Sequence, residues 1–371
     1  MSLGKMFWEL LRKRGDQVAL IKAQVRTDGR LEAVEWSSDR VQATAVRLAL
    51  SLKRQGLGPG QRVLMACTTN AEALVVALSV WMLGGVTVHL EPGLEAGLLT
   101  QALERSKASW VVIDKLRTLG ALEVASGASV AEAQILLLDP TQEAGKAARV
   151  SSYKDAVEEG KRLQVTGLSA LARGMFEIPD DARAMILYWA QDEGGLGAAA
   201  LAHSEMLTAM APLPLSWGLK AGEVVFMEAD LGSRAAVLTT LRLLHEGMAM
   251  AFAAPDRLLE SAQLTRPVAL LLDPEDLDGL LEALDRALNE TAVRARLRQG
   301  LDWVGRQRRQ QDALTKVVGR MDGWLERKLA DELVKGLGGN LRMVWSPQRP
   351  LGQDAAALIA SAGIAAVEGT P

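Results

Sequence analysis

The sequence is poor in residues that staple a chain, ligate a metal or titrate near neutrality. Its single cysteine, Cys67, excludes any intrachain disulfide and fits a reducing compartment. The three histidines, His89, His203 and His245, lie far apart, and none stands in metal-ligand spacing with Cys67, so no metal site is expected. An excess of one charge is also missing. Against 45 Asp+Glu stand 42 Lys+Arg, a formal charge of -3, which gives no field to draw nucleic acid or an anionic membrane. No apolar run reaches the roughly 18 residues that a membrane span needs. The opening stretch MSLGKMFWELLRKRG has charges through its apolar part and no small-residue cleavage site, so it does not read as a signal peptide. The expectation is a cytoplasmic protein with neither nucleic acid nor a membrane span among its partners.

What is present is an ordinary globular balance over 371 residues, 49% apolar and 23% charged, long enough for two domains. Short apolar runs of strand type recur at 62–67, 86–90, 110–113, 135–138, 184–189, 224–227, 249–253, 268–272, 341–345 and 364–367. Most lack alternation, as strands covered on both faces do. Amphipathic helices lie between them. One opens after Ser37-Ser38, carries Val41, Ala45, Leu48 and Leu52, and stops at Gly56. Another begins Asp273-Pro274-Glu275-Asp276, with Pro at the first turn and acids near the positive helix end. The alternation predicts an α/β fold of doubly wound layers. The polar stretch 141–181 shows no convincing strand and reads as the join between residues 1–180 and residues 181–371. A charge-rich helical insertion is expected around 290–330, where Trp303 stands among six arginines interrupted by Glu290, Asp302 and Asp312. A solvated helix face explains it better than a nucleic-acid groove. No repeat at a period of 20–50 residues is visible.

The segment from Asp180 to Gly197, followed by AAALAHSEML, reads as a strand, a glycine-bearing turn, a short strand and a helix. In this order, with Tyr188 on the strand and Ala202-His203-Ser204 at the helix entry, it resembles the phosphate-loop region of the acyl-adenylate-forming superfamily, its acyl-CoA synthetases in particular. Further blocks are similar. They include Phe7-Trp8-Glu9-Leu10, Gly56-Leu57-Gly58-Pro59-Gly60-Gln61-Arg62-Val63, the helix Asn70–Gly84, Gly222-Glu223-Val224-Val225 and Leu337-Gly338-Gly339-Asn340-Leu341-Arg342. The resemblance runs along the whole chain and implies the large domain of a long-chain fatty acyl-CoA synthetase, built as two doubly wound αβα subdomains. It also implies ATP and magnesium as cofactors wherever the family activity survives, with a fatty acyl ligand.

The departures concern that activity. A phosphate loop works through backbone N–H groups, hydroxyls and a lysine around the phosphate oxygens. Here the loop is WAQDEGGLGAAA, without Ser, Thr, Lys or Arg, and Asp192 and Glu193 would face a polyanion. Gly194, Gly195 and Gly197 remain as candidate phosphate-loop residues, against the plainer reading of a tight turn between strands. The family's histidine-bearing loop corresponds to Glu228–Arg234, which has no histidine, and its adenine-contact loop to Ser346–Leu351. The resemblance places Glu368-Gly369-Thr370-Pro371 where the Thr-Glu motif should begin, so the small C-terminal domain is expected to be absent.

No residue is assigned a catalytic role. His203 is a candidate base, but a helix cap or surface position explains it better, and adjacent helix residues cannot form a Ser204–His203 dyad. His89 stands at a strand end with no partner visible in sequence. The tryptophans 81, 110, 189, 217, 303, 324 and 345 fall mostly in apolar runs, as core or as the wall of an apolar ligand cavity. Three functions are consistent with these features: an acyl-binding or regulatory homologue without autonomous adenylation, a scaffold acting as homo-oligomer or partner subunit, or a fatty acid–CoA ligase completed by another chain.

Overall fold

The computed structural model describes residues 1–91, 93–126, 130, 132–139, 149–210, 218–228, 232–254, 256–273, 276–280, 282, 334–346, 351, 359–360 and 364–368. Their strands form two seven-stranded sheets of the same design. The first holds β3 (Arg62–Ala66), β4 (Val86–Leu90), β5 (Trp110–Ile113), β6 (Gln134–Leu137), β7 (Val150–Ser152), β8 (Arg183–Ala190) and β9 (Leu196–Ala202), in the order β7-β6-β5-β3-β4-β8-β9. The second holds β1 (Val18–Val25), β2 (Leu31–Ser37), β10 (Val224–Met227), β11 (Ala249–Phe252), β12 (Ala269–Leu271), β13 (Met343–Ser346) and β14 (Ala365–Glu368), in the order β14-β13-β12-β10-β11-β1-β2. In each sheet six strands run parallel and a hairpin adds one antiparallel edge strand.

All ten expected strand segments coincide with strands. The element order of the first half is repeated in the second, with the hairpins exchanged. The β1–β2 hairpin joins strands from beyond residue 220, and the β8–β9 hairpin joins strands from before residue 153. Sheet membership therefore does not follow a division at residue 180.

Helices fill three layers around the sheets, and alternate residues of one strand face different layers. Val63 and Met65 belong to the central core while Leu64 faces outward; Val225 and Met227 face inward while Phe226 faces outward. Both faces of these strands are dry, which is why their hydropathy does not alternate. Between the sheets lie α1 (Leu3–Arg14), α2 (Ser38–Arg54), α3 (Ala71–Met82), α6 (Tyr153–Phe176) and α8 (Arg234–Glu246). On the outer faces lie α4 (Ala96–Ser106) and α5 (Leu116–Ser126) against one sheet, and α9 (Leu258–Thr265) against the other. The short α7 (His203–Ala209) comes directly after β9.

The helix starts obey their cap residues. Ser37 Oγ accepts from Arg40 N–H at 3.2 Å at the head of α2, and Asn70 Oδ1 from Ala73 N–H at 2.8 Å at the head of α3. The stripe Val41, Ala45, Leu48 and Leu52 is buried as its spacing predicts. α3 is buried all round because it is packed from both sides.

One expectation is corrected. The described part of the stretch 141–181, residues 149–181, contains β7 and the 24-residue α6, so it is not a polar stretch without a strand. Gly160 of α6 lies so close to α2 that a Cβ there would stand 1.7 Å from the Arg47 carbonyl oxygen. That backbone-to-backbone approach needs a residue without a side chain. The expected insertion around 290–330 lies outside the described residues, as do Trp217, Trp303 and Trp324. Of the other tryptophans, Trp36, Trp81, Trp110 and Trp345 are buried in the cores, and Trp189 is about one-third exposed.

Candidate functional site

Parallel sheets present their working surface at the carboxyl ends of the strands. In the first sheet that edge carries the β8–β9 hairpin with Gly194, Gly195 and Gly197. The structure places Gly194 and Gly195 in a five-residue closure and Gly197 on β9, opposite Trp189. Gln191 N–H donates to the Gly195 carbonyl at 3.1 Å, and Gly194 N–H donates to the Gln191 carbonyl at 2.9 Å. Gly194 and Gly195 have φ of 83° and 100°, the left-handed region that glycine enters at little cost. Gly197 lies under Trp189, whose ring would meet a Cβ there at 2.5 Å. The base is fastened by Glu91, whose Oε2 accepts from Ala190 N–H at 2.9 Å and whose own N–H donates to the Tyr188 carbonyl at 2.9 Å.

The β1–β2 hairpin provides an internal comparison. Arg26 N–H donates to the Arg30 carbonyl at 2.8 Å and Gly29 N–H to the Arg26 carbonyl at 2.9 Å, with Gly29 at φ 81°. The two turns share one hydrogen-bond pattern, one length and a left-handed glycine at the same place. This is the common three-residue hairpin loop with a glycine bulge.

Along the same edge, after β5, Asp114 gathers the loop after β3. Its Oδ2 accepts from the N–H and hydroxyl of Thr68 at 2.7 and 2.9 Å, and its Oδ1 from Asn70 Nδ2 at 3.3 Å. Its carboxylate is thus engaged in shaping the loop.

At the corresponding edge of the second sheet stands Glu228, directly after β10, with its N–H on the Leu271 carbonyl at 2.9 Å. Burial, with Asp276 adding to it, pushes its carboxyl up to about 8 against a bond from the Ala253 backbone. At neutral pH it is mostly a protonated donor. The loop Glu228–Arg234, read only as lacking a histidine, therefore supplies a neutral acid, a role no short-range sequence signal marks. Residues 229–231 of that loop, 347–350 of the expected adenine-contact loop and the terminal 369–371 lie outside the described residues.

Both strand-end histidines are buried, which corrects the expectation of a cap or surface role for His203. Its Nδ1 accepts from Leu3 N–H at 3.3 Å, tying α7 to α1, and burial pushes its pKa down to about 4. His89, on β4, is likewise pushed down to about 4 by burial. Both imidazoles are therefore neutral at neutral pH. Among the described residues no group of His, Cys, Asp or Glu has the arrangement to hold a metal ion.

A family model described as "AMP-binding enzyme" matches residues 7–363. The chain belongs to the AMP-binding enzyme family. Among solved structures, this family member is similar to the adenylation domain of a carboxylate reductase from Mycobacterium chelonae at 17% identity and a TM-score of 0.65, covering 100% of this chain and 57% of that one. It is similar to the N-terminal domain of FACL13 from Mycobacterium tuberculosis at 13% identity and a TM-score of 0.61, covering 100% of this chain and 76% of that one. A candidate long-chain-fatty-acid CoA ligase from Rhodopseudomonas palustris gives 15% identity and a TM-score of 0.61 over 98% of this chain and 74% of that one. These likenesses establish the α/β fold of the N-terminal large domain of acyl-CoA synthetases. No curated protein matches the chain in sequence.

The turn of this AMP-binding family member does not fit the phosphates of ATP. A polyphosphate needs donors or cations, yet Asp192 and Glu193 are exposed on the loop and Gly194 N–H is already engaged in closing it.

Proposed function

We propose that this chain is an acyl-binding member of the AMP-binding enzyme family that does not adenylate by itself, and acts as a ligand-binding or regulatory homologue of long-chain acyl-CoA synthetases. The observation that carries the reading is the identity of bonding between the β8–β9 turn and the plain β1–β2 turn. Where a phosphate cradle would need side chains, the loop has two carboxylates and no hydroxyl or cation. The acyl half of the reading rests on the fatty-acid and carboxylate chemistry in the descriptions of its structural neighbours. Trp189, partly exposed beside the hairpin, supplies an apolar surface at the strand ends.

Purified chain mixed with palmitate, magnesium-ATP and CoA is expected to give no thioester and no pyrophosphate above a protein-free control. Palmitate alone is expected to quench tryptophan fluorescence saturably, with a smaller change in Trp189→Phe. Acid-dependent pyrophosphate release would overturn the first half of the reading, and absence of saturable palmitate binding the second.

A further inference from the structure

Where α3 and α6 begin, the helical layer between the sheets opens into a cavity of about 480 Å³ walled by the end of β2, α2, the head of α3 and the head of α6. Three cations line it. Arg40 and Arg47 stand two turns apart on one face of α2, and Lys154 lies in the first turn of α6, where the positive end of the helix dipole also points. Among the described residues none of the three lies within ion-pair distance of a carboxylate. Two carboxylates share the wall: Glu72, paired with Lys22, and Glu158. The cavity therefore carries an excess of positive charge.

Two of the cations are held in place. The Arg40 guanidinium stacks 4.5 Å over the Trp36 ring, and Arg47 Nε donates to Gln164 Oε1 at 3.2 Å, leaving the remaining donors of its fork. Tyr153 completes the wall, and its hydroxyl is buried without a hydrogen-bond partner. Burial and the charge of Glu72 raise its pKa, so the hydroxyl stays protonated and remains a donor. A buried donor left unmade is costly, and an acceptor brought by a ligand relieves that cost.

We propose that this cavity binds a small, soluble, phosphate-bearing anion. A phosphate group carries close to two negative charges and three acceptor oxygens, which suits cations spread over two helices better than a single carboxylate does. The proposal is independent of the acyl reading, since no residue of the β8–β9 hairpin lines this cavity.

The test is calorimetric titration of the full chain with inorganic pyrophosphate at low and high salt. Saturable binding that weakens with salt is expected. Arg40→Gln and Arg47→Gln should each weaken it about tenfold, while Arg12→Gln, outside the cavity, leaves it unchanged. Tyr153→Phe should weaken binding without lowering the melting temperature, which separates loss of the site from loss of the fold. Absence of saturable heat in the millimolar range, or equal affinity in wild type and all three cavity variants, would overturn the proposal.

Discussion

The β1–β2 and β8–β9 hairpins are one device used twice, and each is inserted into the sheet of the other half. Their turns share the same two backbone closing bonds, with glycine at the same left-handed position; the second adds a left-handed Gly195. They differ in the side chains on the turn and in the helix that comes next. The first bears Thr27-Asp28-Gly29 and leads into the 17-residue α2, which anchors itself through a buried stripe. The second bears Asp192-Glu193-Gly194 and leads into the seven-residue α7, held by the bond from Leu3 N–H to His203. The candidate site is therefore closed by the same two backbone bonds as an ordinary surface turn. The side chains it adds to that backbone, Asp192 and Glu193, carry the charge that a phosphate repels.

The comparison can be broken most forcefully at the layer both hairpins flank. Gly160→Ala should cost about 3 kcal/mol or more in urea unfolding, because the new Cβ meets the α2 backbone rather than a movable side chain. A smaller loss would mean that the α2–α6 contact relaxes easily.

Acid sharpens the difference between the helices downstream of the hairpins. His203, neutral when folded with a pKa of about 4 against an ordinary 6.5, takes up protons more readily once unfolded. Its contribution is full above pH 6.5 and falls as pH drops toward 4, a loss of about 3 kcal/mol at most. His203→Gln should flatten that part of the stability–pH curve, leaving a remaining slope from His89, which is shifted the same way.

Next come the two glycines. Gly29→Ala and Gly194→Ala should cost the same, about 1 kcal/mol each, since both force a side chain into the left-handed region. Unequal costs would show that the turns are not equivalent. The smallest effect tests sequence rather than backbone. The double change Asp192→Thr with Glu193→Asp, which copies the first turn into the second, should alter stability by less than about 0.5 kcal/mol.

Much of the fold is legible in sequence because strands dry on both faces leave unbroken apolar runs, and caps such as Ser37 and Asn70 sit where the helices begin. The misses have physical causes. β2 reads LEAVEWS, a polar edge strand with one buried residue, and β7 has three half-buried residues. α6 contains three glycines, which read as breakers although Gly160 and Gly167 mark close approach to α2. The exchange of hairpins is invisible, since register between strands about one hundred or more residues apart leaves no local signal. His203 is misread for the same reason: Leu3, which buries and tethers it, is far away in sequence. At the candidate site the order of elements is readable, but the bonding of the turn is not, and the neutral acid Glu228 emerges only with its buried neighbours.

The central claim is that the β8–β9 turn is a plain hairpin closure and not a phosphate cradle. Its most direct test is calorimetric titration of magnesium-ATP into the Arg40→Gln/Arg47→Gln chain, in which the separate basic cavity is disabled. The account predicts dilution heats alone into the millimolar range. A saturable isotherm, lost when Gly194 and Gly195 are both changed to Ala, would put the phosphates on the turn and contradict it.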